Sequence, residues 1–287
     1  MSIKIVTGKT AEERRAEAER LHKRIGTQLA ELTSGPGWAQ FLRMATGFHH
    51  YSLSNLLLIQ AQRPGATRVA GYRQWRQRGR QVKKGEKGIR IFGHSTKRVA
   101  PNEDDPDAEE RRVALYPVVT VFDIDQTEPM AGVAEVADIA PRLRGQDQLG
   151  IFDATAAWLG EQGWTVRRQH LNGQDGMSIF DGTRRVLIHD QLEPAHEALT
   201  VLHETAHVLL HSGITDYRQH QGIYETEAES VAYIVAGVLG MDTAVNSIGY
   251  IAGWSLGDLD TVRATAEHVL AAVRTILDGI TEEGRDG

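Results

Sequence analysis

Cysteine is absent from all 287 residues, so no disulfide staples this chain and no thiolate can hold a metal. Any metal site must be built from His, Asp or Glu. Long apolar runs are missing too. No uncharged stretch approaches the roughly 18 to 20 residues of a membrane span, and the opening MSIKIVTGKTAEERR has no apolar signal segment. The expectation is a cytoplasmic protein with no membrane partner. Aromatic residues make up only 6%, yet a 41% hydrophobic and 24% charged composition is that of a globular chain long enough for two domains.

Acid is nearly missing from one segment. Between Arg63 and Arg98 stand 12 Lys and Arg against the single acid Glu86, a local charge of +11 that leaves -17 for the remainder of a chain whose net charge is -6. A polyanion meets an attractive patch on an otherwise repulsive body. Arg73, Arg76, Arg80, Lys83, Lys84, Lys87 and Arg90 in this segment suit phosphate neutralisation. Phe48, Tyr51, Tyr72, Trp75 and Phe92 are interleaved with it, and two readings stay open. Either their faces stack on exposed bases, as single strands allow, or Tyr72, Trp75 and Phe92 fill the core of their own small domain.

The order of elements predicts an α+β fold in two domains. TAEERRAEAERLHKRIGTQLAELTS, residues 10–34, has a Thr cap, early acids and apolar residues at helical intervals, and Gly35, Pro36 and Gly37 are expected to stop it. Two shorter helices follow, the second over Ser52 to Gln62, then a short basic helix and a strand at IRIFG. This strand is expected to pair as a β-hairpin with RRVALYPVVTVFDI across the acidic loop Asn102 to Glu110. The polar, Pro- and Gly-containing stretch 126–147 is read as a linker between an N-terminal domain, 1–125, and a C-terminal domain, 148–287. The second domain reads as one helix, three short strands and three helices: Pro194 to Ser212, Tyr224 to Leu239 and Asp258 to Leu277.

The stretch VLHETAHVLLHS, Val201 to Ser212, spaces His203, His207 and His211 one turn apart. Residues i and i+4 share a helix face, so His203 and His207 can aim at one cation, and Glu204 stands where an HExxH carboxylate shuttles a proton. Eighteen residues after His207, the apolar helix YETEAESVAYIVAGVLG opens with Glu225, Glu227 and Glu229. Glu225 and Glu229 share a face while Glu227 points elsewhere, which supplies one carboxylate ligand and one carboxylate to orient a histidine N–H. His211 is read as a capping or packing residue, and Tyr217, Tyr224 and Tyr233 as packing residues rather than oxyanion donors.

HETAH followed by ETEAESVAY resembles the HExxH plus ExxxE/D arrangement of gluzincin metallopeptidases of the ImmA/IrrE-like and ArdC-like kind. The resemblance implies a zincin-like domain with one Zn2+ per chain, held by His203, His207 and Glu225. It also implies Glu204 as general base and Glu229 as the residue orienting a ligand, at a position where relatives often carry Asp. RRVLIHD would be the edge strand along which such an enzyme lays an extended peptide substrate. Likewise YSLSNLLLIQAQRPGATRVAGYRQWRQRGRQVKKGEKGIRIFG resembles the N-terminal single-stranded-DNA-binding domain of ArdC-like antirestriction proteins, from about Thr10 to Asp123. Tyr51, Ser52, Asn55, Trp75, Lys83, Lys84, Gly85 and Lys87 are the matching positions, although Ser52 also suits a helix cap. The implied function is a single-stranded-DNA-binding zinc metallopeptidase, carried on plasmids and other mobile elements, that protects incoming DNA from restriction. Two alternatives remain: a DNA-binding antirestriction protein whose zinc is structural or vestigial, and a site-specific protease of a DNA-bound repressor.

Overall fold

The computed structural model describes residues 10–99, 111–130, 147, 150–214, 217–241 and 258–281. The acidic loop Asn102 to Glu110 and most of the 126–147 stretch lie outside these. The chain forms two α+β units, one of Met1–Gln28 with Leu57–Ala137, the other of Leu29–Leu56 with Asp138–Gly287. Compactness thus cuts the chain differently from the contiguous spans 1–125 and 148–287, because residues 29–56 group with the C-terminal half. No helix among the described residues is long and apolar enough to cross a membrane.

The first three helices are α1 (Ala11–Glu31), α2 (Gly35–Phe48) and α3 (Leu53–Gln62). Gly-Pro-Gly does more than end α1. Ser34 accepts the backbone N–H of Gly37 through its hydroxyl, and proline occupies the first turn, so the same residues that stop one helix start the next. α2 buries Trp38, Phe41, Leu42 and Ala45, and the Trp38 indole N–H donates to Ser230 Oγ at 3.1 Å.

The N-terminal unit continues with β1 (Val69–Gly71), α4 (Tyr72–Gln77), β2 (Arg80–Val82), β3 (Ile89–Phe92), β4 (Ser95–Val99), β5 (Arg111–Leu115), β6 (Val118–Asp123) and β7 (Thr127–Pro129). β6 is the middle of an antiparallel sheet in the order β1-β6-β3, while β2 pairs with β7 and β4 with β5. The expected hairpin is therefore present, extended into β4 and β5, with β3 paired to β6 from Ile89↔Val121 to Phe92↔Val118. Pro117, which has no N–H to give a ladder, separates β5 from β6. Asp123 is fully buried and gathers its neighbours: one carboxylate oxygen accepts the N–H groups of Thr67 and Arg68 at 3.0 Å each, and the other lies 3.5 Å from Arg63 Nε.

The C-terminal unit adds α5 (Ile151–Glu161), β8 (Thr165–Gln169), β9 (Gly176–Ile179), β10 (Arg185–His189), α6 (Pro194–His211), α7 (Tyr217–Val238) and α8 (Leu259–Ile280). α7 is kinked at His220, whose φ of -120° and ψ of 15° leave the helical region. The small sheet has the order β8-β10-β9, with β10 parallel to β8 and antiparallel to β9. This corrects the reading of RRVLIHD as an edge strand. Val186, Leu187 and Ile188 of β10 are buried, as a strand flanked on both sides should be, and β8 and β9 are the edges, β9 being the one that lines the cleft of α6. α6 packs on β9, β10, α5, α7 and α8.

Candidate metal centre

α6 exists because Pro194 starts it and because Ala198, Val201, Leu202, Thr205, Ala206 and Val208 bury one broad side. The side next to it carries His203, Glu204 and His207 into a cleft of about 590 Å³, whose opposite wall is β9. α7 brings Glu225 and Glu229 to the same cleft. The ligand-type atoms of His203, His207 and Glu225 all lie within 4.8 Å of one another.

The two imidazoles meet through their Nε2 atoms, 3.0 Å apart. Glu225 Oε2 lies 3.4 Å from His203 Nε2 and 3.7 Å from His207 Nε2. Glu229 takes the other side of His203, its Oε1 3.4 Å from Nδ1. Of the two carboxylates that share a face of α7, Glu225 is thus the one that converges with both rings. Burial on its own pushes the His203 imidazolium down. The hydrogen bond to Glu225 and the charges of Glu229, Glu204 and Glu225 outweigh it and leave the His203 pKa raised. Two imidazole nitrogens and a carboxylate oxygen around a point that favours positive charge fit a borderline divalent metal such as zinc.

Glu204 is almost fully buried and is fixed from the opposite wall: the Ser178 hydroxyl donates to Oε2 at 2.7 Å. Gly176 makes this approach possible. A Cβ there would lie 2.7 Å from Glu204 Oε1 and 2.7 Å from Thr200 Cγ2. With Glu204 as the general base that the HExxH resemblance implies, Gly176→Ala is expected to displace its carboxylate from Ser178 and lower turnover by about 10-fold or more, out of the 10²- to 10⁴-fold a positioned acid–base group supplies. Steady-state peptide hydrolysis beside metal content checks this; content should stay at the wild-type level. Neither Ser178 nor Gly176 was singled out in the sequence. The only signal for them was a short Gly- and Ser-containing strand two elements before HExxH.

His211 is not simply a packing residue. Its Nδ1 is 2.8 Å from His207 Nδ1, and its Nε2 is 2.8 Å from Glu227 Oε2. Glu227 does point away from His203, as its register predicts, but it points into the protein. A second His/Asp group, His170, His189 and Asp190, also has ligand-type atoms within 4.8 Å of one another. There His189 Nδ1 accepts the Gln191 backbone N–H at 3.1 Å, and His170 and Asp190 are exposed.

The positively charged residues of the N-terminal half separate into two groups. Arg73, Arg76, Lys83, Lys84 and Lys87 are exposed, with the Lys83 ammonium also donating to the Asp125 carbonyl at 3.0 Å. Lys83 to Lys87 form the turn from β2 to β3, with Gly85 in the left-handed region at φ +89° and Glu86 hydrogen-bonded to the Gln126 amide at 2.8 Å. Arg80 and Arg90 are occupied within the domain. Arg80 Nε donates to Thr127 Oγ1 at 2.7 Å, and Arg90 Nε donates to Glu17 at 2.9 Å while its Nη1 bonds Thr120. Trp75 contradicts the expectation that it contacts DNA: it is 1% exposed, and its indole N–H donates to the Phe122 carbonyl at 2.8 Å. A ring enclosed on both faces cannot stack on a base. Phe48 is also buried and Phe92 lies against His22, whereas Tyr72 is 50% exposed beside Arg73 and Arg76. Tyr51, Ser52 and Asn55 belong to the other compact unit, where the Ser52 hydroxyl accepts the Asn55 N–H at 3.4 Å and caps α3.

Residues 15–122 match the N-terminal domain of the anti-restriction factor ArdC, and residues 160–244 match the IrrE N-terminal-like domain, a peptidase family. The chain is an ArdC-like protein. A crystal structure of the antirestriction ArdC protein from plasmid R388 in its Mn(II)-bound form is 18% identical to this ArdC-like chain. It covers 81% of this chain and 86% of its own, with a TM-score of 0.50, and so shares the fold. The metal-free form of the same protein is 20% identical over 80% of this chain and 85% of its own, with a TM-score of 0.49. Among curated proteins, the uncharacterised protein pXO2-81 of Bacillus anthracis is 24% identical across 98% of the ArdC-like chain. The chain spans only 54% of that relative's length.

Proposed function

We propose that this ArdC-like protein is a zinc-dependent peptidase joined to a single-stranded-DNA-binding domain, acting in antirestriction on incoming mobile DNA. The observation that carries the peptidase reading is the convergence of His203 Nε2, His207 Nε2 and Glu225 Oε2 in a cleft where Ser178 already holds the Glu204 carboxylate. In this reading His203, His207 and Glu225 hold one Zn2+. The chemistry supplied by bound zinc is Lewis-acid activation of water and of the scissile carbonyl. Glu204 takes a proton from the attacking water as its oxygen adds to the carbonyl carbon, and delivers that proton to the amine as the C–N bond breaks. Glu229 accepts the Nδ1–H of His203 and so keeps the Nε2 lone pair towards the cleft. The free edge of β9 accepts an extended peptide by strand addition, placing its backbone beside Glu204.

The DNA-binding reading rests on the exposed Arg73, Arg76, Lys83, Lys84 and Lys87 and on Tyr72, the aromatic among them that is open to a base. The antirestriction role follows from kinship with ArdC. Metal analysis of the purified protein beside His203→Ala and Glu225→Ala tests the centre. One zinc per chain is expected in the wild type and loss of it in both variants. Stoichiometric metal in both variants would overturn the ligand assignment, and manganese in place of zinc would overturn the choice of metal.

A further inference from the structure

We infer that His211 and Glu227 are positioning residues that lock His207 in the tautomer whose Nε2 lone pair faces the cleft. The inference rests on the reading of His207 as a metal ligand and concerns what stands behind it. His207 and His211 are buried and face each other through Nδ1 atoms 2.8 Å apart. Only one proton fits between two such nitrogens, so one ring donates and the other accepts.

The next contact decides which. His211 Nε2 is 2.8 Å from Glu227 Oε2, and Glu227 is itself 3% exposed. The second oxygen of Glu227 lies 2.9 Å from His268 Nδ1 on α8. A buried carboxylate is tolerable when donors satisfy it, and here two imidazole N–H groups do so, one on each oxygen. His211 therefore carries its proton on Nε2. Its Nδ1 is left as a lone pair and accepts the Nδ1–H of His207, which leaves His207 Nε2 unprotonated and directed at the cleft. The reverse assignment, with His211 donating from Nδ1, puts a proton on His207 Nε2 and removes the lone pair a metal needs.

The two histidines of HExxH are thus supported differently. His203 relies on Glu229, whose side chain is 50% exposed, and His207 relies on the buried His211 and Glu227, with the exposed His268 closing the chain at its far end. That chain, His207, His211, Glu227 and His268, links α6, α7 and α8, so the packing of three helices sets the proton on one ligand.

The test compares full-length wild type with His211→Phe, which keeps a ring and loses both nitrogens, and with His211→Gln, which restores an acceptor and a donor on one planar group. Zn(II) affinity is read by competition with a chromogenic chelator, and circular dichroism and melting of the metal-free proteins report the fold. His211→Phe is expected to bind Zn(II) about 10- to 100-fold more weakly, with His211→Gln recovering most of the loss. Side-chain nitrogen–proton NMR of the metal-free wild type should show His207 as the Nδ1–H tautomer and His211 as the Nε2–H tautomer. An affinity in folded His211→Phe within about twofold of wild type, well short of that range, overturns the inference. So does an Nε2–H signal on His207 in the wild type, a readout that does not depend on any variant folding. His203→Ala separates this from failure of the metal centre. Its retaining wild-type affinity would sink the centre, whereas its losing zinc while His211→Phe keeps it would sink only the relay.

Discussion

Glu204→Gln is expected to lower peptide hydrolysis by about 10²- to 10⁴-fold while zinc content and Zn(II) affinity stay at wild-type levels. The glutamine has the same shape and its amide oxygen still accepts the Ser178 hydroxyl, so the wall of the cleft is preserved. What disappears is basicity: an amide cannot take the proton of attacking water or return it to the leaving amine. Glu204 is not among the three groups that converge, so its replacement leaves the ligand set intact. Turnover of a quenched-fluorescent peptide library, measured beside metal analysis, checks both halves of the expectation. The same variant sorts the functional alternatives. Antirestriction that survives Glu204→Gln with metal in place belongs to DNA binding alone; antirestriction that is lost with it belongs to proteolysis. Cleavage unchanged in the variant would remove Glu204 from the mechanism.

The second large effect is expected on the β2–β3 turn. Neutralising Lys83, Lys84 and Lys87 together should weaken single-stranded oligonucleotide binding and flatten its salt dependence, lowering the slope of log affinity against log salt by about 2 if each lysine meets one phosphate. These three side chains are exposed on one turn whose only acid, Glu86, is tied to Gln126. Fluorescence anisotropy across a salt series measures the slope directly. An unchanged slope would move the DNA elsewhere on the molecule. Tyr72→Ala tests stacking separately, since loss of a base–aromatic contact costs about 1 to 3 kcal/mol with no change of slope.

The sequence made the geometry of the cleft legible because helical spacing is rigid. His203 and His207 one turn apart must share a face, and Glu225 and Glu229 obey the same rule on α7. What spacing does not reveal is what lies across from a helix. His211 continues the histidine stripe, but its partner Glu227 is 16 residues away and reaches it only through the packing of α7 on α6. The edge strand was assigned to the wrong run for a related reason. A continuous apolar stretch such as VLI marks a strand covered on both sides, whereas the edge beside the cleft is the shorter GMSI with its glycine and serine. Trp75 illustrates the limit of composition: an aromatic among arginines reads as a stacking platform until its burial under β6 is seen.

Trp38 settles where the unit with the HExxH motif can be cut free. Its indole reaches Ser230, the residue immediately after Glu229, and α2 packs along α7, with Thr46 lying against Gly237. A fragment beginning at residue 148 would discard this cover and present bare hydrocarbon to water directly behind the acids of the cleft. The unit that carries the HExxH motif is therefore a discontinuous piece of polypeptide, tied to a helix encoded far upstream of that motif.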